Sequence, residues 1–238
     1  MEYYGQYGQD SVIKQFFDKK GIINGIFLDV GAHDGIRFSN TYILEKDGWE
    51  GVCVEAHPDY FKIMQSNRTS LCLNYAAGDK NEDNTVINLN YRGSLSSLDL
   101  SLESKFEKNY SGWYGDRSQS DIQNFRNGKH NIKMRTIDTI LSESYKNTKI
   151  NLVSIDIDGS EKYAFKGMDL KMWSPELFVC EYTVMGFDFI EEYAKINDYF
   201  FVRNVGEDSF FVKNEEDRDI LNSISVSGQY IKVKHPLD

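Results

Sequence analysis

Five short apolar runs recur along the chain, at residues 25–30, 51–55, 71–77, 152–156 and 177–181. Apolar residues in direct succession imply burial on both faces, as in a parallel sheet covered by helices. The segments between them carry helical signals. In 10–20, Val12, Ile13, Phe16 and Phe17 fall on one helical face. Residues 58–66 open on Pro58, which suits a first helical turn, and 137–145 follow Thr136, a natural cap. Residues 40–47, 160–168 and 189–197 complete the helices. Near the C-terminus, 199–203 and 209–213 flank a polar turn and read as an antiparallel hairpin. The expected fold is α/β, a doubly wound and mostly parallel sheet with that hairpin at its edge and helices on both faces. With 238 residues, 40% of them hydrophobic, the chain suits a single domain over 1–238.

The rhythm breaks over residues 84–134, where Ser, Asn and Asp alternate with aromatics such as Tyr91, Trp113 and Phe125. Residues 85–89 and 131–135 read as extra strands, and the stretch reads as an inserted lid or substrate-binding element. The formal net charge of −10 leaves no broad cationic face for nucleic acid. Cys53, Cys72 and Cys180 each lie in an apolar run without close spacing. That argues against disulfides or zinc and for a reduced, cytoplasmic protein. The first ten residues lack the pattern of a leader, and no apolar run is long enough for a membrane span. The expected partner is a small molecule; the aromatic insertion is a candidate homo-oligomer interface. His130 and His235 carry no local signal.

Ligands of open parallel sheets bind beyond the carboxyl ends of the strands. After the first run come Gly31 and Gly35, which permit a tight turn and close approach to a ligand. Their spacing lacks the full dinucleotide fingerprint, which disfavours an NAD(P)-dependent oxidoreductase. The loop instead suits a nucleoside whose amino-acid end lies over the strand, with Asp29 taking an ammonium and Ser39, Asn40 and Thr41 offering polar groups. Glu55, at the end of the second run, stands near the offset of roughly 20 residues expected of a ribose-binding carboxylate. Residues 74–78, with Ala76, are small enough to flank an adenine, and Ser97 in 94–98 can reach over the same pocket. After the fourth run Asp156, Asp158 and Glu161 crowd together, and the fifth ends on Glu181. Such acids need a cation, a proton or an ammonium nearby. One reading is magnesium or manganese held by Asp156, Asp158 and Glu181. In the other, Glu161 caps a helix while Asp156 binds only the cofactor. His57 is a weaker candidate base, since a histidine on a turn is more often simply exposed, and His33 is a candidate to pack against the cofactor.

Together these segments resemble the FkbM-family methyltransferases. The likeness runs from about Gly5 to Thr183 through Tyr7-Gly-Gln-Asp10, Phe27-Leu-Asp-Val-Gly-Ala-His-Asp-Gly35, Phe38-Ser-Asn-Thr41, Gly48-Trp-Glu-Gly51 and Val54-Glu55. It continues in Arg135-Thr-Ile-Asp138, Ser154-Ile-Asp-Ile-Asp-Gly-Ser-Glu161 and Val179-Cys-Glu181. The resemblance implies a class I methyltransferase sheet of seven strands, S-adenosylmethionine as cofactor, and O-methylation. It also implies a sugar acceptor, nucleotide-linked or from a capsule or other surface glycan. Two positions depart from the family, which usually has Glu at 158 and Asn at 33. Five parallel strands closed by a hairpin fit the same arrangement. A non-catalytic binding module on this fold is disfavoured, because idle buried charge is costly.

Overall fold

The computed structural model describes residues 1–88 and 129–233. The chain opens with β1 (Glu2–Tyr3) and α1 (Gln9–Lys19), then β2 (Ile26–Val30), α2 (Tyr42–Lys46), β3 (Glu50–Val54) and α3 (Pro58–Asn67). β4 (Leu71–Leu73), β5 (Tyr75–Ala77), β6 (Glu82–Asn88) and β7 (Lys129–Arg135) follow. Next come α4 (Ile137–Ser144), β8 (Leu152–Ile155), α5 (Glu161–Lys166), α6 (Leu170–Trp173) and β9 (Leu177–Glu181). The C-terminal part comprises α7 (Phe187–Ile196), β10 (Phe200–Val205), β11 (Asp208–Val212), α8 (Glu215–Asn222) and β12 (Gln229–Tyr230).

The main sheet has seven strands in the order β10-β11-β9-β8-β2-β3-β4. β4, β3, β2, β8 and β9 pair in parallel, and β11 runs antiparallel to both β9 and β10. The expected parallel sheet and C-terminal hairpin are therefore present. Successive side chains of each strand serve opposite faces. Leu28, Val52, Ile155 and Phe178 pack with Ile137, Phe165 and Ile190 of α4, α5 and α7. Phe27, Cys53, Leu152 and Val179 pack with Phe16, Leu44, Met64 and Leu221 of α1, α2, α3 and α8. Local chemistry starts these helices where expected. The Thr136 side chain accepts a hydrogen bond from the Thr139 N–H (3.1 Å) and Asn214 accepts one from Asp217 (2.8 Å).

The run 71–77 is not one strand. Asn74 breaks it by donating its amide to the carbonyls of Glu55 (2.8 Å) and Ala56 (3.1 Å). β4 stays beside β3, whereas β5 leaves to pair with β7 in a second sheet, β5-β7-β6. Strands expected at 85–89 and 131–135 are found as β6 and β7, each longer at its N-terminal end. They flank the insertion, most of which lies outside the described residues. The short helix α6 and the acidic helix α8 were not foreseen. Among the described residues, no helix is long and apolar enough to cross a membrane.

Candidate functional site

Strand register places the site. Val54, Val30, Ile155 and Cys180 lie in one row across β3, β2, β8 and β9. The residues one step beyond are Glu55, Gly31, Asp156 and Glu181, so all four emerge along one edge of the sheet. The connection is tight. The N–H groups of Gly31 and Ala32 donate to the Val54 carbonyl (2.9 and 3.1 Å), and the Asp156 N–H donates to that of Val30 (2.9 Å). Gly31 has φ 92°, and a Cβ there would fall 1.7 Å from the Asp156 carbonyl oxygen. No side chain fits, which is why the loop needs glycine at that point.

Glu55 anchors the next turn. Its Oε2 accepts from the His33 N–H (2.8 Å) and its Oε1 from the His57 N–H (2.6 Å). Burial pushes its carboxyl up, against the pull of these bonds. Each oxygen keeps a lone pair, so the group is fixed in place and still able to accept. His33 has φ 52°, a region that Asn enters more readily, and its ring lies 4.1 Å from that of Tyr60.

Asp29 has one carboxylate oxygen engaged by the protein itself. Its Oδ2 accepts from the Thr41 hydroxyl (2.5 Å) and faces Arg68 Nη1 at 3.9 Å, in the interior. Arg68, which nothing in the sequence singled out, ties this region together. It also bonds Glu45 (2.8 Å), the Gly35 carbonyl (2.9 Å), Ser39 (3.2 Å) and Thr41 (2.9 Å). Burial and Arg68 oppose each other at both acids. Glu45 is held below its ordinary range, while at Asp29 burial wins and the carboxyl rises. Ser39 Oγ accepts from the N–H groups of Thr41 and Tyr42, shaping the start of α2.

The opposite side of the loop is unlike this. Asp156 is exposed, Asp158 is half-buried and Glu181 is buried, and one oxygen from each lies within 4.8 Å of the others. Protein crowding thins the water around all three, and neighbouring carboxylates add their charge. Each is pushed well above the ordinary carboxylate range. Glu181 takes a hydrogen bond from the Thr183 hydroxyl and stands within hydrogen-bonding reach of the Asp156 carboxyl, but its Oε2 meets no donor among the described residues. Asp208 stands opposite Glu181 in the β9–β11 pairing. It is fixed by the Gln9 amide (2.8 Å), and burial raises its carboxyl to about 6. Gln9 thus joins the start of α1 to this edge, a link visible in sequence only as the Tyr7-Gly-Gln-Asp10 segment.

Asn40 is buried; its amide donates to Ser154 (3.2 Å) and its Oδ1 lacks a partner among the described residues. Ala76 is covered by Ala56 and Ile132. His57 is not an exposed turn residue: it is 1% exposed, and its Nδ1 accepts from the Asp59 N–H (3.2 Å) as the cap of α3. Burial lowers its pKa to about 4, which leaves little basicity for deprotonating an alcohol. His130 lies on β7, with its ring 6.0 Å from that of His57. Cys53, Cys72 and Cys180 are free thiols on β3, β4 and β9. Ser97 and His235 lie outside the described residues.

The sequence profile of the methyltransferase FkbM domain matches residues 29–208, which span the strand-end residues of this edge from Gly31 to Asp208. Among solved structures, the chain is similar to a TehB-like SAM-dependent methyltransferase from Corynebacterium glutamicum. The identity is 11%, with 88% of this chain and 89% of that chain covered and a TM-score of 0.42. It is also similar to a protein of Pyrococcus horikoshii described as a proposed RNA methyltransferase, at 13% identity, 85% and 83% coverage and a TM-score of 0.37. Both likenesses are too loose to bear on function. No curated protein matches the chain.

Proposed function

Since the chain belongs to the FkbM methyltransferase domain family, we propose that it moves a methyl group from S-adenosylmethionine to a sugar hydroxyl, on a nucleotide-linked or glycan-linked sugar. One observation carries this reading. Gly31, Glu55, Asp156 and Glu181 stand in a single row at the carboxyl ends of adjacent parallel strands, where such sheets bind nucleosides. The mostly parallel sheet, with β11 antiparallel to both its neighbours, supports the same reading.

The residues fit the cofactor. Glu55 is already oriented by two backbone N–H groups and offers lone pairs to both ribose hydroxyls. The glycine loop leaves room for a ligand to come close to the backbone, and Ser39, Asn40 and Ala76 remain proposed neighbours of the cofactor. When bound, S-adenosylmethionine supplies an electrophilic methyl group on a sulfonium. The protein's part is to hold the acceptor oxygen in line with it.

A sugar hydroxyl is a weak nucleophile and needs help with its proton. The group Asp156, Asp158 and Glu181 fits a hard divalent cation, magnesium or manganese. All its donors are carboxylate oxygens, and one is buried and meets no donor among the described residues. Such a cation supplies stabilisation for an alkoxide. The carboxylates hold the acceptor against the cofactor side of the cleft, and the hydroxyl proton passes to one of their free oxygens.

The test is incubation with S-adenosylmethionine and a panel of nucleotide-linked sugars, read by mass for the gain of one methyl group, with NADPH titrated in parallel. Binding of NADPH in place of S-adenosylmethionine would refute the assignment. Chelator treatment should abolish turnover and leave cofactor affinity intact; a full rate in metal-free protein removes the cation from the reaction.

A further inference from the structure

Of the three candidate cation ligands, Asp158 lies within one short turn and Asp156 directly precedes it. The Ser160 N–H donates to the Ile157 carbonyl (3.2 Å), closing a four-residue turn around Asp158 and Gly159. Both central residues have positive φ, 50° and 93°. A turn of that kind favours Asp followed by Gly, which accounts for the shorter acid at 158. Positive φ at a residue other than glycine persists only when its surroundings enforce it.

Here the enforcing group is visible. The N–H groups of Ile157 and Gly159 converge on a single atom, Glu161 Oε1, each at 3.2 Å. Converging backbone N–H groups form a concavity for an anion, and the chain fills this one with its own carboxylate. Glu161 is 0% exposed and its Oε2 has no partner among the described residues. A carboxylate so deeply buried with one oxygen unused is costly, and its bonded oxygen makes two contacts that both fall on the ligand-bearing turn. The other oxygen is idle.

We propose that Glu161 is the positioning residue of the acidic edge: by filling the turn from Ile157 to Ser160 it sets the Asp156 and Asp158 carboxylates at the spacing that lets them share one divalent cation with Glu181. The inference rests on the cation reading above and adds a residue to it. Glu161 acts through the backbone, as groups bonded behind metal ligands do. Without it, Asp158 is released to return to negative φ and carries its carboxylate away from the other two.

Manganese binding to the full chain, by calorimetry and by the electron paramagnetic resonance of the free ion, tests this for wild type, Glu161→Gln and Glu161→Leu. Glu161→Gln keeps an acceptor for both N–H groups and should bind manganese like wild type. Glu161→Leu keeps the bulk but loses the acceptor, and its affinity should fall about 10- to 100-fold, the usual effect of removing support behind a metal ligand. Thermal melting of each variant shows whether it is folded at the assay temperature. If Glu161→Leu is folded and binds as tightly as wild type, the proposal fails. Equal losses in both variants would mean that charge, not position, is what Glu161 contributes, and would also overturn it. If neither variant folds, manganese titration of wild type followed by backbone amide exchange decides. Binding that leaves Ile157 and Gly159 exchanging freely sinks the proposal, and binding with both amides protected supports it. A wild type that takes no manganese brings down the cation reading itself, and this inference with it.

Discussion

The two ends of the glycine loop treat strand-end charge in opposite ways. At Gly35 the loop meets Arg68, whose guanidinium joins Asp29, Glu45, Ser39 and Thr41 in one bonded knot. At Gly31 it meets Asp156, the start of a crowd of acids whose strongest neighbouring charges are other acids. Buried charge is tolerated when partnered and strongly disfavoured when not. The knot is therefore finished by the chain alone, whereas at the acidic edge the chain supplies no cation among the described residues, and the proposed function fills that place with a divalent ion. The contrast separates acids paired with a buried guanidinium from acids whose nearest charges are other acids, although both sets sit at strand ends.

The largest expected effect tests the knot. Arg68→Met leaves Asp29 and Glu45 buried beside an apolar side chain and should cost about 3–5 kcal/mol, read by urea denaturation. Wild-type stability in that variant would erase the distinction between the two regions. Asp208→Asn should act in the opposite direction. The Asp208 pKa is raised to about 6, so the folded ligand-free protein holds this proton more tightly than the unfolded chain does. Its contribution is complete below about pH 4 and is lost as pH rises to about 6. Denaturation of ligand-free wild type should show stability falling over that window, and Asp208→Asn should flatten the fall and gain about 2–3 kcal/mol at neutral pH. Glu45, with its pKa lowered, has the reverse sign: its contribution is present at neutral pH and lost in acid. A wild-type curve that is level from pH 4 to 6 would show that burial does not raise the Asp208 carboxyl.

Glu55 lies between the two regimes, with both oxygens bonded to N–H groups and a lone pair left on each. Glu55→Ala should weaken S-adenosylmethionine about 10- to 30-fold by calorimetry, the worth of a charge-assisted hydrogen bond. The effect on stability should be smaller than that of Arg68→Met. Unchanged affinity would assign Glu55 to the scaffold with Asp29.

The sequence was most legible where structure is local. Apolar runs marked the parallel strands, Thr136 and Pro58 marked helix starts, and the residues after each run marked the ligand edge. It failed where one residue's role depends on a distant partner. Asp29 and Glu55 look alike on paper, each an acid at a strand end. In the structure Asp29 faces Arg68, 39 positions on, and Glu55 accepts from the backbone of two adjacent loops. His57 looked like an exposed turn residue because capping by a buried imidazole leaves no trace in composition. The split of 71–77 depended on Asn74 finding two carbonyls of a neighbouring loop.

By itself the sequence determined the layered α/β architecture and the family, because strand burial, glycine loops and strand-end acids are set by residue type and order. Only the tertiary structure decided which acids are satisfied. Partners such as Arg68 for Glu45 and Gln9 for Asp208 are brought together by sheet register and helix packing, and hydrogen bonding acts over a few ångströms regardless of separation along the chain.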